Sequence, residues 1–215
     1  MKQDPKNGTG NFVSVKTAAV LSISIFIIAV GASAFKKDEI PVKEITFSTT
    51  INRDSIESVK AFETVYKTLI SPRCMNCHPA GDIPLQGDDS HLHTMAPKRG
   101  KEGKGVYAMK CSNCHQETNT PGLHTPPGNP DWHLPPAAMK MVFEGKSAHE
   151  LALQLVDKKQ NGNKDIKKLI EHADDGLVLA GWNPGEGRTL PPVSHAEFKK
   201  AWLTWIKKGA YAPKK

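Results

Sequence analysis

All four cysteines of this 215-residue chain fall in two five-residue words, CMNCH at 74–78 and CSNCH at 111–115. Each word is a C-x-x-C pair with a histidine directly behind it. Any fold must therefore build the same local unit twice, with 33 residues between Cys77 and Cys111.

Four chemistries use paired cysteines. A disulfide framework suits an exported protein. A zinc ribbon takes two pairs, usually at closer spacing, and a thioredoxin-like redox pair needs only one. The fourth is covalent haem attachment through C-x-x-C-H. The histidine decides between them. With nine His in 215 residues, chance puts one at a given position about 4% of the time, and two such coincidences come to roughly one in 570. Only haem attachment gives a reason for it. The two thiols join the porphyrin vinyl groups from one face of a helical turn, and the next residue ligates the iron from the proximal side. The expectation is two covalently bound haem c groups. Cys74, Cys77 and His78 hold the first, and Cys111, Cys114 and His115 hold the second.

The sixth iron ligand is Met, His or an open position. The candidates are Met95, Met109, Met139 and Met141, and His91, His93, His124, His133, His149, His172 and His195. HLHTMAPKRG carries His91, His93 and Met95 soon after the first motif, and LPPAAMKM carries Met139 and Met141 after the second. The expected distal ligands are His93 for the first haem, with Met95 as rival, and Met139 for the second, with Met141 as rival. Arg99 and Arg188 are candidate partners for haem propionates. Trp132 and Trp182 are candidates to pack on a porphyrin edge.

Lys16 and Lys36 bracket 19 uncharged residues, 17–35. As a helix they would span about 28 Å at ~1.5 Å per residue, near the ~30 Å of a bilayer core. With lysines before it and Ala32-Ser33-Ala34 at its end, the stretch reads equally as a cleaved signal peptide. Both readings export the rest of the chain. The expected location is periplasmic, either soluble or anchored to the inner membrane by this helix. The expected organisation is a signal or anchor at 1–35, a polar tether at 36–54, and one dihaem domain at 55–215. Motifs 37 residues apart cannot serve two separate beads of about 80–100 residues, near the low end of domain size.

The rest of the chain predicts a mostly α fold with long loops. Hydrophobic residues make up 38% of it, and Gly and Pro together number 33. Val59, Phe62, Val65, Tyr66, Leu69 and Ile70 form a helical stripe before the first motif. Ser194 opens a second helix with Phe198, Trp202, Trp205 and Ile206 on one face. Ser147 and Glu150 stand at capping-box spacing for a helix over 147–158, and 163–174 carries Ile166, Leu169, Ile170 and Ala173. The formal charge is +7. The lysines are scattered and form no Arg-rich stripe with aromatics, which argues against nucleic acid. They suit docking of an acidic redox partner.

Several longer words carry a resemblance: RCMNCHPAGDIPLQGDD, MKCSNCHQETNTPGLHTPPGNPDWHLPP, FEGKSAHELALQLVD, GWNPGEGR and WIKKGAYAP. Over residues 60–213 they resemble a family of bacterial dihaem cytochromes c often labelled isoquinoline 1-oxidoreductase subunit. The resemblance implies a cytochrome c-like, compact dihaem unit that carries electrons rather than catalysing a reaction. It implies a molybdenum hydroxylase as donor, with a terminal oxidase, another cytochrome or the wider respiratory chain receiving the electrons. Two rival readings stay open: a dihaem peroxidase, with His93 or Glu117 as acid/base group, and a haem-based sensor.

Overall fold

The computed structural model describes residues 52–215. Residues 17–35, on which the expected signal or anchor falls, and all but the last three residues of the expected tether lie outside them. No helix among the described residues is long and apolar enough to cross a membrane.

The described chain is mostly helical, with two hairpins of two-residue strands. In order it forms α1 (Arg53–Leu69), α2 (Pro72–Met75), β1 (Leu85–Gln86), β2 (His91–Leu92), β3 (Gly105–Val106), β4 (Met109–Lys110), a 3-10 turn (Cys111–Asn113), α3 (Ala148–Val156), α4 (Ile166–His172), α5 (Gly176–Ala180) and α6 (His195–Lys207). β1 pairs antiparallel with β2, and β3 with β4. Strands this short show no alternation, so the sequence carries no signal for them.

Local chemistry sets the helix starts. Asn52 accepts hydrogen bonds from the Asp54 and Ser55 amides and starts α1 two residues before the expected domain boundary. Ser147 with Glu150, and Ser194 with Glu197, form complete capping boxes on α3 and α6. Each satisfies two amides that the helix itself leaves unpaired.

The core lies where α1 packs on α6. Phe62, Val65 and Leu69 meet Phe198, Trp202, Trp205 and Ile206, with Leu151, Leu155 and Leu169 closing the cluster. Phe62 and Trp205 lie 4.7 Å apart between ring centres. Full burial of side chains this large contributes about 1.5–3 kcal/mol each. The indoles keep their N–H groups satisfied: Trp202 donates to the Leu169 carbonyl at 2.7 Å and Trp205 to that of Tyr211 at 3.1 Å. Ser58, also buried, donates to the Trp205 carbonyl and accepts from the Tyr211 amide, tying the chain end to α1. Ile166 departs from the expected stripe. It is half exposed, because Asp165 caps α4 and leaves Ile166 at the first, outward-turned position.

This core supports one side of a long loop region, residues 76–147. Arg99 holds that region together. Its side chain is 1% exposed. Its guanidinium donates to the carbonyls of Pro135 at 2.7 Å and Gly81 at 3.0 Å, with Pro79 at 3.5 Å.

Candidate functional site

Each cysteine word folds as a single turn. Pro72 opens α2 at a position where a missing N–H costs nothing, and the turn runs on through the first motif. The Cys77 amide donates to the Cys74 carbonyl at 3.2 Å, and the His78 amide to that of Met75 at 2.9 Å. In the second motif the Cys114 amide donates to the Cys111 carbonyl at 3.2 Å, and His115 to the same carbonyl at 2.9 Å. Both pairs therefore present two thiols from one side of a turn. All four cysteines are free.

The two histidines are held alike. His78 donates from Nδ1 to the Met141 carbonyl at 2.6 Å, and His115 from Nδ1 to the Pro127 carbonyl at 2.7 Å. Each ring lies flat on an aromatic neighbour, His78 on Phe143 at 3.9 Å and His115 on Trp132 at 4.1 Å. Orientation and tautomer are thereby set, and Nε2 is the nitrogen left for a ligand. Gly128 makes the second arrangement possible. A Cβ there would stand 2.0 Å from the Thr118 carbonyl oxygen, so only glycine lets the chain pass close enough to present Pro127 to His115.

All six motif residues line one cavity of about 800 Å³. That is near the top of the range of about 300–1,000 Å³ for small-molecule and cofactor sites. Much of its wall is apolar, including Leu69, Leu155, Leu169, Val178 and Trp202. Burial pushes the Cys74 thiol up to about 12 and the Cys77 thiol to about 11, and it raises Cys111 as well. These sulfurs lack the lowered pKa that marks the reactive cysteine of a thioredoxin-like redox pair. Among the described residues no three His, Cys, Asp or Glu side chains group as a metal cage. Burial also holds His78 down to about 4 and His115 below its ordinary value, so both rings are neutral.

The distal candidates lie in an unexpected order. The segment after the second motif completes the first. Met141 binds His78 through its carbonyl, its sulfur turned to the Gln154 amide at 3.8 Å, and the Phe143 amide donates to the His78 carbonyl at 2.9 Å. Met139 lines the cavity and lays its thioether end over Gly162. The loop after the first motif reaches the second: the His93 ring centre lies 6.4 Å from that of His115. Met95 lies at the cavity edge and is 62% exposed.

The arginines also differ from expectation. Arg99 is absent from the cavity wall and spends its donors on backbone carbonyls. Arg188 lines the cavity but donates to the carbonyls of Pro184, His124 and Thr125. Arg73, which sequence reasoning missed, lines the cavity with its Nε buried and unpaired, and meets Asp88 at 2.6 Å. A usable signal existed. Only four of the 29 cationic residues are Arg, and three of them, Arg73, Arg99 and Arg188, direct the planar fork at backbone carbonyls. Trp132 packs on His115, and Trp182 lines the cavity while donating to the Val193 carbonyl at 2.8 Å.

Comparison with protein-family models, with curated proteins and with solved structures finds no match to this chain.

Proposed function

We propose that the chain is a dihaem c-type cytochrome that carries electrons in the periplasm. One observation carries this reading: two C-x-x-C-H turns face one cavity, each with its histidine anchored through Nδ1 and its Nε2 free. The residues fit the group. Cys74 and Cys77, and Cys111 and Cys114, would hold two porphyrins as thioethers, with His78 and His115 as proximal iron ligands. Bound haem supplies reversible one-electron chemistry.

The chain's own residues account for the rest. The Met141 and Pro127 carbonyls make the two imidazoles better donors, which favours the oxidised iron. The apolar wall excludes water and disfavours added charge near the iron, which favours the reduced state. Both motifs open on one cavity, so two haems held there would lie close together. The basic surface favours an acidic partner. A molybdenum hydroxylase as donor and a respiratory acceptor rest on the resemblance alone. Periplasmic location, with residues 1–35 as signal or inner-membrane anchor, rests on the sequence of that segment.

Intact-mass spectrometry of the protein from an export-competent host tests the reading. The expected result is the polypeptide plus two haems, with one lost in Cys111→Ala/Cys114→Ala. A wild-type mass equal to the bare polypeptide overturns it.

A further inference from the structure

The dihaem reading underlies this inference. We infer that His93 is the sixth ligand of the second haem, opposite His115, so that this centre is bis-histidine. The argument is one of spacing. A metal–imidazole bond runs about 2.0–2.1 Å, and Nε2 lies just over ~1 Å from its ring centre, so two trans imidazoles have centres about 6.3 Å apart. The His93 and His115 centres are 6.4 Å apart, with the rings inclined at 67°. That is far beyond the 3.9 and 4.1 Å at which the motif histidines stack on Phe143 and Trp132. The centre-to-centre distance is thus the one that two imidazoles sharing a single metal would have.

Both ends of that distance are fixed. The Pro127 carbonyl holds Nδ1 of His115 and so turns Nε2 away from it. His93 sits just beyond β2, its amide donating to the Pro84 carbonyl at 3.0 Å and its carbonyl accepting from Ala96 at 2.7 Å. Its ring lines the same cavity. One contact runs the other way: the Met95 amide donates to His93 Nδ1 at 3.3 Å. Ligation through Nε2 puts the ring proton on Nδ1 and gives up that long, weak bond. A coordinate bond outweighs it. The two methionines singled out with it from the sequence are placed worse. Met95 is 62% exposed, and Met139 lies over Gly162.

A second histidine in place of methionine leaves a lower potential, and a filled sixth position leaves no site for small-molecule chemistry at that iron. This makes the second haem the low-potential centre if the first has a methionine ligand.

The test uses full-length holoprotein, with electron paramagnetic resonance and near-infrared magnetic circular dichroism of the ferric state. Haem content is counted alongside as the pyridine haemochrome. Wild type should hold two haems and show a bis-imidazole low-spin signal. His93→Ala should keep both haems, lose that signal, turn one haem high-spin, and recover the signal on adding imidazole. His93→Met should trade the signal for a methionine–iron band. Two haems with an unchanged bis-imidazole signal in either variant overturns the inference and leaves the dihaem reading standing. If His93→Ala does not accumulate, His93→Met decides alone. A wild type without haem sinks both.

Discussion

Replacing Arg99 by Met should lower the unfolding free energy of the protein by about 2 kcal/mol. Two strong bonds disappear, to Pro135 at 2.7 Å and Gly81 at 3.0 Å. Bonds from a charged donor contribute about 1.5–3 kcal/mol each, so together about 3–6. The contact to Pro79 at 3.5 Å is at the limit of a hydrogen bond. Asp82, 3.8 Å from Nε, is largely exposed and adds little. Against this gain stands the cost of taking the guanidinium out of water, several kcal/mol for a buried ion. Nε has no hydrogen-bond partner to offset its share. Met fills a similar volume without that cost, but it leaves the Pro135 and Gly81 carbonyls without their donor. An unpaired buried group costs about 1–3 kcal/mol, and these two are only partly buried, which puts the net near 2. Urea unfolding followed by far-ultraviolet circular dichroism reads the difference. With a slope of about 2 kcal/mol/M, the midpoint should fall by ~1 M. Arg99→Lys, which keeps the charge but offers one point donor, should recover less than half of it. An Arg99→Met midpoint at or above wild type would mean that desolvation outweighs the bonds, and the account of this clamp would be wrong.

Gly128→Ala should cost about 1–3 kcal/mol by overpacking against the Thr118 carbonyl. On the dihaem reading it should also shift one of two midpoint potentials by displacing Pro127 from His115, a change that redox titration resolves. Ser58→Ala removes one buried and one partly buried hydrogen bond that join α1 to residues 205–211, for a loss of about 2 kcal/mol in the same urea assay. Glu150 and Glu197 are held below the ordinary glutamate value of 4.5, Glu150 chiefly by the Ser147 amide and Glu197 chiefly by the Ser194 hydroxyl. Their folded values are depressed, so their support is complete above that value and lost as pH falls through the folded ones. Glu150→Gln/Glu197→Gln should therefore show a shallower loss of thermal stability in acid than wild type, and an identical acid slope would refute the capping account.

What could be read from the sequence was what local chemistry decides. The stripe of α1, the aromatic face of α6 and the Ser-x-x-Glu box of α3 each depend on residues within a turn or two, and each forms as expected. The turns at 74–78 and 111–115 belong here too. Ile166 fails because a cap one residue earlier outweighs the periodicity. α5 was missed, since its five residues GLVLA are too few to show a period. Arg99 reads as a candidate propionate partner because a sequence records a charge but not its burial.

Chain path was the part that sequence order misrepresented. A loop that follows a motif was expected to serve that motif, but the two loops cross. His93 lies 15 residues past the first histidine and stands beside the second; Met141 lies 26 residues past the second and binds the first. Three observations make that crossing structural rather than incidental. The Phe143 amide binds the His78 carbonyl, the Phe143 ring stacks on the His78 imidazole, and Glu144 accepts from the Ala80 amide at 2.7 Å. His78 is thus positioned by residues from beyond the second motif, and His115 faces a ring delivered by the loop that follows the first. Neither site can be completed by its own half of the chain, so splitting the chain between the motifs should leave two fragments that each lack part of a site. Co-expressing 1–100 and 101–215 from an export-competent host tests this. Separate fragments should each show a perturbed haem spectrum, and a native spectrum from either one alone would show the crossing to be dispensable.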